Sequence, residues 1–423
     1  MTACGTDVSF LVADGGPALL AAATGDENHA LVSFAWIMAA ALAAPILSFV
    51  TGKRIPSVVF LLALGALIGP FGTGLADQEP SVGMVKELGL GMLFLLAGYE
   101  IRPESLRGAE GRHALATWLI CAVLSFLGFL AVFSLTGVSG SSTAVVLAIA
   151  VTSTALGTLM PILRQQGLTG TPLGESVMVH GAVGEVAPII AMALLLSARA
   201  TWLSAAVLLA FFAVAVTVAF VPRTVRFLAP WATRAMADGA GSTDQTVVRA
   251  VILMLGVLMA VAAVLDLDVV LGAFATGMIL GQLIPAEYRT ALEGRLDVVG
   301  YGLLIPVFFV ASGMDIDTGV VVHRPWFLVV LVPLIFCTRG VPVILRERFF
   351  ATGSGLTGWR PQVQLGLYVA TGLPIIVAVT DVAVRAGFLG ADDASLLVAG
   401  GAMTVLLFPL LAATLQPRGA RRL

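Results

Sequence analysis

The sequence predicts an all-α polytopic membrane protein with about thirteen transmembrane helices, its N-terminus outside and its C-terminus inside. Three observations carry this expectation. Of 423 residues, 59% are apolar and only 11% are charged, whereas a soluble domain carries about 25% charged residues. Disorder is excluded on the same ground, because disordered chains are polar and charged. Apolar runs near the length of a spanning helix, about 20 residues, recur throughout the chain, and the basic residues between them alternate by side.

Residues 1–30 are acidic and interrupted by Asp14, Gly15 and Gly16. They lack the basic start and unbroken apolar stretch of a secretory leader, and read as a short external tail. Apolar runs follow at 31–50, 56–70, 82–101, 114–135, 142–163, 175–197, 202–221, 247–265, 269–284, 297–314, 327–345, 362–387 and 393–415. Several are short or contain Gly and Pro, which a membrane helix tolerates where neighbours or a water-filled cavity satisfy the freed backbone groups. Cytoplasmic loops should hold the excess of Lys and Arg. Eighteen of the 23 basic residues follow odd-numbered runs, from Lys53 and Arg54 through Arg164, Arg346 and Arg360 to Arg418, Arg421 and Arg422. Lys86, Arg199, Arg324 and Arg385 fall on the other side, and Arg339 lies inside the eleventh run. The longest internal loop, near 222–246, is too short for a domain. The expected organisation is therefore one transmembrane domain, 31–415, and a short cytoplasmic tail, 416–423.

The net charge of −2 points to no partner, and no basic cluster suggests nucleic acid. Cys4, Cys121 and Cys337 form neither a metal-ligand spacing nor a disulfide framework and read as small buried hydrophobes. His29, His113, His180 and His323 build no H-E-x-x-H motif, and there is no G-x-S-x-G or phosphate loop. Neither enzymatic activity nor a cofactor is expected.

Ionisable groups deep in a bilayer are costly and mark ion or substrate pathways by default. Glu185 lies about ten residues into the sixth run, roughly 15 Å deep at 1.5 Å per residue, and Arg339 lies at comparable depth in the eleventh. A purely structural ion pair between them is the alternative. Glu100, Asp381, Asp266 and Asp268 stand at run ends, where a solvated carboxylate is ordinary. Lys86 and Glu87 could snorkel to the interface. His180, nearer the cytoplasmic side than Glu185, is a possible proton relay or a quietly packed histidine.

The fifth run contains Thr152, Ser153, Thr154, Gly157 and Pro161, and the twelfth contains Thr371, Gly372 and Pro374. Small hydroxyl residues, Gly and Pro at mid-depth favour interrupted helices. Broken helices in corresponding positions of two halves point to a transporter's midplane site. The two runs are seven apart, an odd offset that makes equivalent helices antiparallel, as an inverted repeat requires. Hydroxyls that merely bond back to their own helix are the simpler alternative.

With these features the chain resembles the second monovalent cation:proton antiporter family, bacterial sodium/proton and potassium/proton exchangers. The resemblance runs through most of 31–415. It is carried by Arg54-Ile55-Pro56 with Gly65-Ala66-Leu67-Ile68-Gly69-Pro70, by Phe94-Leu95-Leu96-Ala97-Gly98-Tyr99-Glu100, and by Thr152-Ser153-Thr154-Ala155 with Arg164-Gln165-Gln166-Gly167. Leu271-Gly272-Ala273-Phe274 and Pro306-Val307-Phe308-Phe309-Val310-Ala311-Ser312-Gly313-Met314 extend it. It implies an inverted-repeat fold with two crossed interrupted helices, the fifth and twelfth, a mobile core against a dimerisation part, and a homodimer in the plasma membrane. It also implies a carboxylate on the sixth helix, matched by Glu185, and a basic residue on the eleventh, matched by Arg339. The chain departs in having Glu185 where family members usually have aspartate, and Gly184 where many have a second polar or acidic residue. It also lacks the cytosolic nucleotide-binding domain of the ligand-gated potassium-efflux members.

The expected function is electroneutral exchange of Na⁺ or K⁺ for protons at Glu185, with Thr152, Ser153 and Thr154 completing an oxygen shell. Arg339 would offset half-helix dipoles or pair with the empty Glu185. A facilitator of a small organic anion on a related broken-helix fold, with Arg339 as the anion's partner, is the alternative.

Overall fold

A computed structural model describes residues 26–52, 55–101, 108–136, 140–195, 206–217, 245–284 and 286–416. Most of the expected N-terminal tail, most of the C-terminal tail, the loop near 222–246, Cys4, and several orienting basic residues, among them Lys53, Arg54 and Arg102, lie outside the described residues.

The elements are helices α1 (Asp26–Val50), α2 (Ser57–Ile68), α3 (Pro80–Glu100), α4 (Ala109–Thr136), α5 (Ser141–Thr152), α6 (Leu156–Gln165) and α7 (Pro172–Leu195). After the short α8 (Ala206–Thr217) come α9 (Thr246–Val264), α10 (Val269–Leu283), α11 (Ala286–Val299) and α12 (Ile305–Met314). The chain ends with α13 (Thr318–His323), α14 (Pro325–Ile335), α15 (Val341–Phe349), α16 (Trp359–Val369), α17 (Leu373–Arg385) and α18 (Ala391–Thr414).

Among the described residues, ten helical segments are long and apolar enough to span a membrane, and three shorter apolar helices accompany them. They coincide one for one with the thirteen apolar runs. The chain is a multi-pass membrane protein, and its outward faces fit that medium: Leu42, Phe49, Leu253, Val264 and Trp326 are large, apolar and exposed.

Two continuous helices contain a π turn, at Gly300–Leu304 between α11 and α12 and at Phe336–Gly340 between α14 and α15. Such turns insert one residue into the α register and are frequent at functional positions; the second holds Arg339. The tenth helix begins near residue 286 rather than 297. Glu293, Arg295 and Asp297 hid its first turns from a hydropathy reading, although they wind as helix.

The helices sort into two bundles by their packing partners. In one, α3 packs on α10 and α12, α2 on α1 and α12, and α9 on α10. In the other, α4 packs on α5 and α7, α16 on α7 and α18, and α17 on α5 and α18. We call the first the panel and the second the core. All groups expected to handle ions lie in the core.

Candidate functional site

The fifth and twelfth runs are both interrupted. Helix α5 stops at Thr152 and α6 starts at Leu156, while α16 stops at Val369 and α17 starts at Leu373. The first break therefore lies at Ser153–Ala155, ahead of Gly157 and Pro161, which belong to α6. The hydroxyls next to the break compete for the helix's own carbonyls: Thr152 donates to Ala148 O at 2.6 Å and Ser153 to Ala150 O at 2.7 Å. The second break, Ala370–Gly372, is followed by Pro374 in the first turn of α17, where a missing N–H is harmless.

Buried backbone groups must find partners, and the two breaks supply them to each other. The Ala155 N–H donates to Thr371 O at 2.7 Å, and the Thr154 N–H donates to Gly184 O on α7 at 2.8 Å. The Ser153 hydroxyl reaches Gly372 O at 3.3 Å, and the Thr154 hydroxyl donates to Val369 O at 2.5 Å. This approach depends on Gly372, because a Cβ there would sit 2.6 Å from Ser153 Oγ and 2.8 Å from Ser153 O. Thr152, Ser153, Thr154 and Thr371 are all buried. The two interrupted helices thus cross at their breaks, as expected.

Glu185 stands beside this crossing, just past the middle of the 24-residue α7, and is 2% exposed. The backbone N–H of Leu156, the first residue of α6, stands near its carboxylate. A helix N-terminus offers free N–H groups and a positive dipole end to an anion. One oxygen, Oε2, is buried without a hydrogen-bond partner among the described residues.

Arg339 is fully buried but forms no salt bridge with Glu185. Its Nε and Nη2 donate to Thr154 Oγ1 at 3.3 and 3.1 Å, and Nη2 also donates to His180 O at 3.1 Å. Through Thr154 it sits over the Val369 carbonyl, the negative end of α16. Thr154 Oγ1 gives its proton to Val369 and accepts twice from Arg339, so in this conformation its oxygen is fully used. Ser153 and Thr152 keep free lone pairs. Gly184 makes room for the arrangement, since a Cβ there would fall 2.5 Å from Arg339 Nη2 and closer still to Thr154 Oγ1.

His180 faces a carboxylate that the sequence did not single out. Its Nε2 lies 3.7 Å from Glu347 Oε1, both side chains being 1% exposed. Glu347 Oε2 accepts from Thr352 at 2.8 Å and from Ser354 at 2.5 Å. In the sequence Glu347 stands between Arg346 and Arg348.

A cavity of about 950 Å³ reaches this region, lined by Glu100, Glu110 and Arg164 toward its mouth and by Leu156 and Ala182 at its inner end. At the opposite end of α3 the panel and core are tied together, with Glu87 3.2 Å from Arg385 and Arg385 also paired with Asp381. Lys86 bonds Asp315 at 2.6 Å rather than snorkelling. Two further expectations need correction. Cys121 is buried, but Cys337 is exposed, because its side chain lies on the outer face of the π turn. Glu100 is not an ordinary solvated helix end, since Oε2 is buried and unpartnered.

Residues 37–414 match the family described as "Sodium/hydrogen exchanger, transmembrane". The chain is 22% identical over 362 residues to the "Probable Na(+)/H(+) antiporter GerT" of Bacillus cereus, covering 83% of this chain and 85% of that protein. It is 30% identical over 319 residues to the glutathione-regulated potassium-efflux system protein KefC of Escherichia coli O157:H7, covering 72% and 48%. The Bacillus subtilis protein YjbQ is 24% identical over 344 residues, covering 76% and 54%. The chain thus spans about half the length of two of these relatives and most of the third. Its fold is similar to that of the sodium proton antiporter MjNhaP1 from Methanocaldococcus jannaschii, with a TM-score of 0.57, 15% identity, and coverage of 90% and 96%.

Proposed function

The chain belongs to the sodium/hydrogen exchanger family, and on that premise we propose that it is a secondary antiporter. It exchanges a monovalent cation, Na⁺ or K⁺, for protons by alternating access, with Glu185 as the shared site. In a bacterial cell the membrane is the plasma membrane, with the N-terminus outside, and the working unit is a homodimer.

One observation carries the reading: Glu185 is buried at the crossing of two interrupted helices with one carboxylate oxygen unsatisfied. Burial disfavours the ionised carboxylate, and a bound cation favours it, so proton and cation compete for one group. If only the neutralised site crosses the bilayer, leakage is blocked and exchange is obligatory. A hard monovalent cation wants oxygen ligands; Ser153, Thr152 and exposed carbonyls at the breaks supply them beside Glu185. Thr154 carries Arg339, and Arg339 offsets the carbonyl end of α16. His180 and Glu347 stand as a buried pair beside Arg339, open to a relay role.

The organic-anion alternative is not favoured by this geometry, because Nε and Nη2 of Arg339 are already engaged by Thr154 and His180 and only Nη1 is left without a partner among the described residues. The test is dye-monitored proton flux in everted vesicles with Li⁺, Na⁺, K⁺ and Rb⁺ across a pH series. The wild type shows cation-dependent flux with no organic substrate present. Glu185→Gln abolishes it while the protein still elutes as a folded species. Undiminished flux in Glu185→Gln overturns the assignment.

A further inference from the structure

Glu100 closes α3 on the panel side and lines the same cavity as Leu156 and Arg164 of α6 and Ala182 of α7. Its side chain is 24% exposed, and Oε1 stands 4.0 Å from Arg164, at the outer limit of an ion pair. Oε2 is buried with no hydrogen-bond partner among the described residues. Glu100 lies within electrostatic reach of Glu185, and Asp297, Glu293 and Arg164 lie within reach of Glu100.

The other end of α3 is arranged differently. There Glu87 is held at 3.2 Å by Arg385, the last residue of α17. One panel helix therefore presents a carboxylate at each end to an arginine on a core half-helix, tightly at one end and loosely at the other. The loose end is the one that opens into the cavity.

We propose that Glu100 is a second ion-handling carboxylate, which receives the cation or proton at the cytoplasmic face and passes it to Glu185, with Arg164 holding its place in the empty state. This rests on the exchanger reading and deepens it. A buried carboxylate oxygen without a donor is costly unless a proton or cation satisfies it. Two nearby carboxylates resist being ionised together, so an ion arriving at Glu100 lowers the repulsion on Glu185 and is drawn onward. Arg164 competes with the incoming cation for the same oxygens.

The test compares half-saturating cation concentrations at the two faces, in everted and right-side-out vesicles. Glu100→Gln raises the value at the cytoplasmic face by about tenfold, the loss of one charge interaction in a partly buried site, and changes the outer value by less than about twofold. Glu100→Asp restores most of it. Arg164→Gln moves the cytoplasmic value the opposite way, downward, which damage to folding does not mimic. Equal changes at both faces, or none at either while the wild type exchanges normally, overturn the role of Glu100. A wild type without cation-coupled proton flux overturns the exchanger reading itself.

Discussion

Glu185 suits ion exchange because the protein leaves it unsatisfied: among the described residues its buried Oε2 has no hydrogen-bond partner. Arg339 is held more firmly, by Thr154 and the His180 carbonyl, and among the described residues only its Nη1 is left without a partner. The buried base is thus a structural charge and the buried acid is left free to change partners. A second carboxylate illustrates the cost of such burial. Asp268 caps α10 through the Val270 N–H at 2.8 Å, and burial pushes its carboxyl up to about 6, against the favourable effects of that N–H and of Arg385. The native state therefore binds this proton more tightly than the unfolded chain does. The stability it gives is present below about pH 4 and is lost as pH rises through about 6. Asp268→Asn, which keeps an acceptor at the cap, raises stability by about 3 kcal/mol at pH 8 and leaves it nearly unchanged at pH 4, as thermal unfolding in detergent would show. At this scale Glu185 and Arg339 were legible because each is a lone charge in an apolar run. Glu347 was not, hidden between two arginines. Glu100 was not, because no sequence pattern reveals that α6 and α7 fold over the end of α3.

The interrupted helices owe their form to small residues rather than to proline alone. The first break frees backbone donors that a lipid-facing segment could not satisfy, and they find acceptors in the second break and in α7, while Ala370 and Thr371 bond back to α16. Gly372 is the tightest point of that exchange. Gly372→Ala pushes a methyl against the Ser153 carbonyl, which is backbone and does not swing aside. We expect a loss of about 1–3 kcal/mol, read as a lower unfolding temperature, together with slower exchange. Ser153→Ala in the same chain relieves only the hydroxyl part of the contact. The hydroxyl, Gly and Pro content announced both interruptions. Their position was less legible: Gly157 and Pro161 suggested a break within what is α6, whereas the chain departs from helix at Ser153–Ala155, where hydroxyls bond backward and a facing break takes the freed N–H groups.

For the whole molecule, the ratio of charge to apolar surface foretold a multi-pass chain, and all thirteen apolar runs became helices. The resemblance implied a core set against a second part, but which helices form each was not legible, because hydropathy says that a helix is apolar without saying which neighbour each face meets. That division matters for transport, since the Glu87–Arg385 and Glu100–Arg164 contacts both cross it. With one exchangeable carboxylate at the crossing and Gly184 beside it, the account expects one proton per monovalent cation. An imposed membrane potential in proteoliposomes then leaves the exchange rate unchanged, and a clear voltage dependence would contradict the stoichiometry. The central claim, that proton and cation share Glu185, is tested most directly by adding Na⁺ or K⁺ to purified protein in weakly buffered detergent solution and recording proton release. The wild type releases one proton per cation bound and Glu185→Gln releases none. Cation binding without proton release, or release that persists in Glu185→Gln, would contradict it.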